Sequence, residues 1–339
     1  MQKALYKYIV ISTILLLLSA CSGIDSPKTK AAKNNTSNDS IEAMIIGGRT
    51  GGAWSVFSEG IAESIRRQQD GSIVTVEPGS IVENPPTVAT NKVSYGLSYA
   101  MTAFAAYHGT EPYQEAYTDL RAISVVIPAN YFQFIVRADA PYDTLDEAIQ
   151  NKAPIRLAVD QQGSPGEIIT RAILKHHGID YETIVSWGGT VDHLSGEKSF
   201  ELMADKRIDA AADALSVPSS DILEAATTMD LKLLALEQET VEAVAAELGM
   251  LPGVITAGGY DFQTEDIATV NTPVLLIVNK AVPDEEVYAI TKAIYESFDY
   301  LHTVHEEFRN LSTENMVAVG DIPLHPGAEK FYKEEGMLK

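Results

Sequence analysis

Short apolar runs that alternate with stretches of helical period constrain this sequence more than any other feature. Ala43-Met44-Ile45-Ile46-Gly47-Gly48 is an apolar run ending in glycines, as a buried parallel strand does. Trp54, Phe57, Ile61 and Ile65 then recur at helical spacing up to Arg67. The rhythm continues with strands at 73–76, 93–98, 120–127 and 132–136, and a helix that Pro85 and Pro86 start. Thr144 with Glu147 reads as a helix start. Alternation then predicts a strand at 155–159, a helix at 166–177, a strand at 184–187, a helix at 200–205 and a strand at 208–214. A strong strand at 273–279 and one long helix at 285–304 close the pattern. Such alternation argues for an α/β fold with largely parallel sheets.

Two stretches share a local design. Gly47 to Trp54 and Leu157 to Ile169 are each strand, glycine-containing turn, helix start. Free N–H groups at a helix N-terminus carry partial positive charge and hold an anion without a basic side chain. Two such turns about 110 residues apart in the sequence point to two lobes that present helix ends to one cleft. Alternatively both are ordinary βα turns in which glycine serves geometry alone. Neither fits a phosphate loop or a dinucleotide fingerprint.

The N-terminus reads as an export signal: Lys3 and Lys7, an apolar run from Ile9 to Leu18, then Leu18-Ser19-Ala20-Cys21. The run is about half the roughly 20 residues a membrane span needs. Leu-Ser-Ala-Cys resembles the bacterial lipoprotein box, with residues 1–20 removed and Cys21 lipidated; the alternative is a plain secretory signal with an incidental cysteine. Cys21 is the chain's one cysteine, so no second thiol exists for a disulfide or a thiolate metal site. Residues 21–41 are polar, rich in Lys, Asn and Ser, and read as a flexible tether. The net charge of −22 argues against a nucleic-acid partner or an anionic membrane face, which need a basic surface.

From Gly51 onward the chain resembles the TAXI-type solute receptors of TRAP transporters. The resemblance rests on Gly51-Gly52-Ala53-Trp54, Pro78-Gly79-Ser80 with Asn84-Pro85, and Tyr131 to Asp139. Gly163-Ser164 with Glu167, Ser186-Trp187-Gly188-Gly189, Asp209-Ala210-Ala211 and His325 to Tyr332 complete it, in order, over nearly 300 residues. It implies a two-lobed class II periplasmic-binding-protein fold that closes on a ligand between its lobes. Residues 42–134 and 262–339 are expected in lobe 1, and residues 135–261 in lobe 2. It also implies a small organic anion as ligand (an amino acid, a dicarboxylate or a 2-oxo acid), no cofactor, and a TRAP membrane permease as partner. The protein would then lie outside the cell membrane, held by a lipid anchor alone.

In the first lobe the resemblance and the turn chemistry select Thr50, Gly51, Gly52, Trp54, Ser55, Ser80, Asn84 and Tyr99. In the second they select Gln162, Gly163, Ser164, Gly166, Glu167 and Ser216, with Ser216 favoured over Asp213. Two departures from the family stand out: Ser55-Val56 where Tyr-Pro is common, and Pro165, which removes one N–H donor. Enzyme readings find little support. The seven histidines form no His-Glu-x-x-His pattern, and Ser164 lacks the Gly-x-Ser-x-Gly elbow. The rival readings are a receptor for an ABC importer and a ligand-sensing module.

Overall fold

A computed structural model describes residues 40–338. The export signal, Cys21 and all but the end of the expected tether lie outside the described residues. Ile41, the last residue of the expected tether, is buried in the core, and its N–H donates to Ser72 Oγ at 2.8 Å.

The first half of the chain runs β1 (Glu42–Ile46), α1 (Ala53–Gln68), β2 (Ile73–Glu77), α2 (Asn84–Ala89), β3 (Tyr95–Tyr99), α3 (Ala100–His108), β4 (Leu120–Ile127), β5 (Tyr131–Arg137), α4 (Leu145–Gln150), β6 (Arg156–Val159) and α5 (Pro165–His176). It continues with α6 (Tyr181–Ser186), β7 (Thr190–His193), α7 (Gly196–Ala204), β8 (Ala210–Leu215), α8 (Ser220–Ala226), β9 (Leu231–Leu234), α9 (Gln238–Leu248), β10 (Leu251–Ile255) and β11 (Ile267–Asn271). The chain ends with β12 (Val274–Asn279), α10 (Asp284–Tyr295), α11 (Phe298–Val304) and α12 (Pro326–Glu334).

Two sheets result. The first has the order β2-β1-β3-β12-β4, and the second β10-β11-β5-β8-β6-β7 with β9 also on β5. Both are mixed rather than largely parallel. In the first, β12 runs antiparallel to β3 and β4; in the second, β5 runs antiparallel to β8, β9 and β11. The antiparallel strands are those beside the points where the chain passes from one sheet to the other. The sequence division at 134/135 cuts through β5, which pairs along its whole length with β8 and β9. Sheet membership instead changes at 128–130 and at 272–273. β11 accordingly belongs to the second sheet, although residues from 262 onward were expected in the first lobe.

The two crossing segments hold each other. Asn271 Oδ1 accepts from Asn130 N at 2.8 Å, Asn271 Nδ2 donates to Pro128 O at 2.8 Å, and Thr272 N donates to Asn130 O at 3.1 Å. Each sheet carries its own apolar core. Ile45, Leu97, Leu276 and Phe331 are among the buried residues of one, and Phe134, Val159, Ile173 and Val244 of the other.

Two helix readings changed. The segment 184–187, read as a strand, is the end of α6, because Asp180 caps it: its carboxylate accepts from Thr183 N at 2.8 Å. The expected long helix at 285–304 breaks at Glu296–Ser297 into α10 and α11. The bend brings Leu301, Val304 and Phe308 onto α1 at Gly60, where a Cβ would sit 3.1–3.5 Å from them.

Asn84 ties three strand ends together. Its Nδ2 donates to Gly47 O at 2.7 Å and to Leu97 O at 2.8 Å, and its Oδ1 accepts from Ser80 N at 2.9 Å. The residue is 1% exposed. Gly79 leaves room for this clamp, since a Cβ there would lie 2.7 Å from Gly47 O. Asn84→Ala leaves two buried carbonyls and one amide unpaired, each costing about 1–3 kcal/mol. The expected result is a loss of about 3 kcal/mol in urea unfolding, with secondary structure retained.

His325 is wholly buried as the N-cap of α12, its Nδ1 accepting from Gly327 N at 3.2 Å and its Nε2 without a partner. Burial pushes its pKa below the ordinary histidine value, while the Asp284 carboxylate 3.8 Å away pulls the other way. A lowered folded-state pKa means that the unfolded chain binds the proton more readily. Stability from this site is therefore complete above about pH 6.5 and is lost as pH falls below it. The urea midpoint should drop between pH 7.5 and 5, and His325→Asn, which keeps a capping side chain, should flatten that slope.

Candidate functional site

The turns after β1, β2 and β3 meet at one end of the first sheet. Gly47 N donates to Glu77 O at 3.0 Å and Gly79 N to Gly48 O at 3.2 Å, so the first two turns are joined through their backbones. A cavity of about 390 Å³ opens there, lined by Gly48, Arg49, Gly52, Ala53, Trp54, Gly79, Ser80, Ile81 and Tyr99. That volume suits a small solute. Gly52 is the N-cap of α1 and supplies no side-chain cap. The first amides of a 16-residue helix therefore open on the cavity with their partial positive charge. Arg49 lines the same space.

Trp54 and Tyr99 form one wall, with ring centroids 4.9 Å apart and planes at 62°. Tyr99 packs against the cores of both lobes. Burial pushes its phenol pKa well up, and the carboxylates of Asp213, Glu307 and Asp160 push it further. The charges of these three acids reach Tyr99, although none of the three lines the cavity. Asp160 directly follows β6, Asp213 lies on β8, and Glu307 belongs to the 3-10 turn Glu306–Asn310. Burial raises the Asp213 pKa well above the carboxylate range, followed by the neighbouring Asp160 charge, with Asp221 adding to it. Glu307 is raised by burial and by Glu306. Among the described ion pairs none uses Asp160, Asp213, Asp221 or Glu307.

The second-lobe turn lies next to this cradle. A gap lined by Ile81, Val82, Met101 and Phe104 from the first lobe also has Gly163, Pro165 and Ile168 on its wall. Ile81 thus borders both the cavity and the Gly163 turn. Gly163 has φ +80°, a left-handed geometry that glycine adopts without strain. A larger hollow of about 560 Å³ lies at the crossing segments, between Tyr131, Val217, Asn271 and Asn315. Its lining residues carry no charged side chain, so it lacks groups that would orient an ion.

Of the residues selected from sequence, Gly52, Trp54, Ser80 and Tyr99 come together in the 390 Å³ cavity, and Gly163 stands across from Ile81. Thr50, Gly51 and Gln162 are exposed on their turns without lining the cavity. Ser55 directs its hydroxyl to Gly52 O at 2.7 Å. Ser164 caps α5, accepting from Glu167 N at 3.4 Å. Ser216 is half-buried beyond the end of β8 and also lies off the cavity.

Three selections need correcting. Asn84 is fully engaged by its clamp and has no donor left for a ligand. Gly166 is buried against β8, where a Cβ would sit 2.6 Å from Asp213 Cα, so close helix–sheet packing requires it. Glu167 is buried and already accepts from Gly163 N, Arg171 Nε and Tyr181 Oη at 3.1, 2.8 and 3.2 Å. Asp213 was passed over for Ser216, yet its carboxyl is held well above the ordinary carboxylate value by burial. Its signal was available: a lone carboxylate in Ala210-Ala211-Ala212-Asp213-Ala214, a run otherwise made for burial.

Among the described residues no helix is long and apolar enough to cross a membrane. The fold matches that of a TctC solute-binding protein from Polaromonas, at 18% identity and a TM-score of 0.51, covering 88% of this chain and 98% of that one. It also matches XAC2383 from Xanthomonas citri, solved with ATP, at 10% identity and a TM-score of 0.50, covering 87% and 95%. The two mixed sheets joined by two crossing segments are therefore the fold of a periplasmic-type solute-binding protein. Residues 45–336 match the sequence profile of the NMT1-like family, and the chain belongs to that family.

Proposed function

We propose that this chain is the extracytoplasmic receptor of a TRAP-type transporter, capturing a small carboxylate between its lobes and delivering it to a membrane permease. The solute-binding fold and the ordered TAXI-like motifs support that reading. The observation that carries it is the polarity of the cleft. On one side the uncapped N-terminus of α1 and Arg49 favour an anion. On the other, the charges of Asp160, Asp213 and Glu307 act on Tyr99, and among the described residues none of the three is in an ion pair.

That polarity favours an amino acid over a dicarboxylate or a 2-oxo acid. A carboxylate suits the α1 end, and an ammonium suits the acids and the Trp54–Tyr99 wall. A second carboxylate on the ligand would meet like charge. Contacts from both lobes to one solute would shift the population toward the closed form. The Cys21 anchor places such a receptor beside its permease without a membrane span.

Thermal-shift screening tests the solute class. A solute at about 100 times its dissociation constant adds roughly 2.7 kcal/mol of stability. An amino acid should raise the melting temperature by several degrees while succinate and 2-oxoglutarate do not. A shift with those acids alone, or with neutral sugars alone, would overturn the assignment.

Asp213 supplies a second test. Its folded-state pKa is raised, so its ionisation opposes folding as pH climbs from about 3.9 through the raised value. Asp213→Asn should therefore raise the melting temperature of the unliganded protein at pH 7, by about 2–4 °C for each kcal/mol relieved. The same variant should weaken binding of whichever amino acid the screen identifies. A stabilised variant with undiminished affinity would remove Asp213 from the ammonium end.

The anchor is tested by fractionation: Cys21→Ser should move the protein from the membrane to the soluble extracytoplasmic fraction.

A further inference from the structure

Arg171 projects from α5 of the second lobe and meets two carboxylates. Its Nε lies 2.8 Å from Glu167 Oε1, and its Nη1 lies 3.5 Å from Glu111 Oε2. Glu111 follows α3 and so belongs to the first lobe. The Glu167 side chain is 3% exposed, and its other oxygen accepts from Gly163 N at 3.1 Å. An unbroken line of polar contacts therefore runs from the first lobe through Arg171 and Glu167 into the Gly163 turn.

We propose that Glu111 and Arg171 form a latch between the lobes, with Arg171 held ready by Glu167, the residue that also shapes the Gly163 turn. This rests on the reading of the cleft as a solute site that opens and closes. The two ends of the latch differ in kind. Glu167 is buried and fixes one edge of the guanidinium in every state of the lobes, because both residues stand on α5 one helical turn apart. Glu111 is 80% exposed, and only lobe closure brings it to the free edge. A planar guanidinium engages two carboxylates at once, which a lysine ammonium does with less geometric control. Separation of the lobes costs only the outer contact, so the latch biases closure without locking it.

The same closure covers the turn. Ile81 and Val82 of the first lobe lie across from Gly163 and Pro165; Gln161 to Gly163 are already exposed, so lobe separation adds solvent access at Ser164, Gly166 and Glu167. Arg171 is thus a positioning residue, acting on the turn through Glu167 and on the lobes through Glu111.

The test uses Glu111, because Arg171 also compensates a buried carboxylate and its removal would disturb folding. In the unliganded protein, amide exchange of residues 164–167 and the radius of gyration from small-angle scattering are compared for wild type, Glu111→Gln and Glu111→Lys. An exposed ion pair shifts an equilibrium by about 1.5- to fivefold. Exchange of that segment should therefore rise about 1.5- to fivefold in Glu111→Gln. It should rise further in Glu111→Lys, with a larger radius of gyration and an unchanged melting temperature. Added salt should produce the same opening in wild type and little in Glu111→Gln. Unchanged exchange and radius in both variants would overturn the latch. Because no solute is present, failure of the amino-acid screen leaves this result readable on its own, and a failed latch leaves the solute assignment standing.

Discussion

The whole arrangement depends on the pairing of the two segments that cross between the sheets. Asn271 is the central residue: its side chain accepts from Asn130 N and donates to Pro128 O, while Thr272 N returns a bond to Asn130 O. The first lobe is built from both ends of the chain and the second from its middle, so two connections must run side by side. Side-chain amides suit that place because they satisfy the backbone of the other segment where no ladder can continue. Two short connections also restrict the lobes to rotation about one line. The cleft lies where it does because α3 begins at this point, with Ala100 N bonded to Pro273 O and Met101 N to Thr272 Oγ1.

From that hinge the site's polarity follows by topology. The parallel strands of each sheet end on the side of the crossings, so the helices that follow them begin there. In the first lobe this delivers the α1 N-terminus, uncapped and beside Arg49. In the second, Ser164 already caps α5, Asp160 follows β6 and Asp213 lies within β8. The two halves therefore differ at their helix starts despite sharing one architectural plan. A net charge of −22 says nothing of this, because a cleft's field is set by the few groups nearest to it.

The alternating strands and helices were legible because burial dictates them. β4, β12 and α5 are apolar runs or apolar stripes with clear boundaries, and Thr144 caps α4 as its spacing with Glu147 implies. Strand direction was not legible: nothing in β12's own residues shows that it lies antiparallel between β3 and β4. The cavity's aromatic wall and glycine turn could be read from motif and spacing. The roles of Asn84 and Glu167 could not, since a polar residue near a turn looks the same whether its partners are backbone or ligand. Only the three-dimensional count of hydrogen bonds separates them.

That count is also what distinguishes scaffold from site in this protein. Asn84, Glu167 and Asp146 are buried polar groups with their bonding capacity filled; Asp146, for example, meets Thr240, Glu237 N and His177. Such groups hold the turns and helices in place and gain nothing from a solute. Asp213 is different: its ionised form is disfavoured by burial and by neighbouring acids, with one backbone amide, Ala214 N, as compensation. A group held in that condition lowers the stability of the empty protein and regains it when a cation arrives. On the proposed reading an ammonium would relieve that cost, while the filled hydrogen bonds of Asn84 and Glu167 hold the turns around it in place.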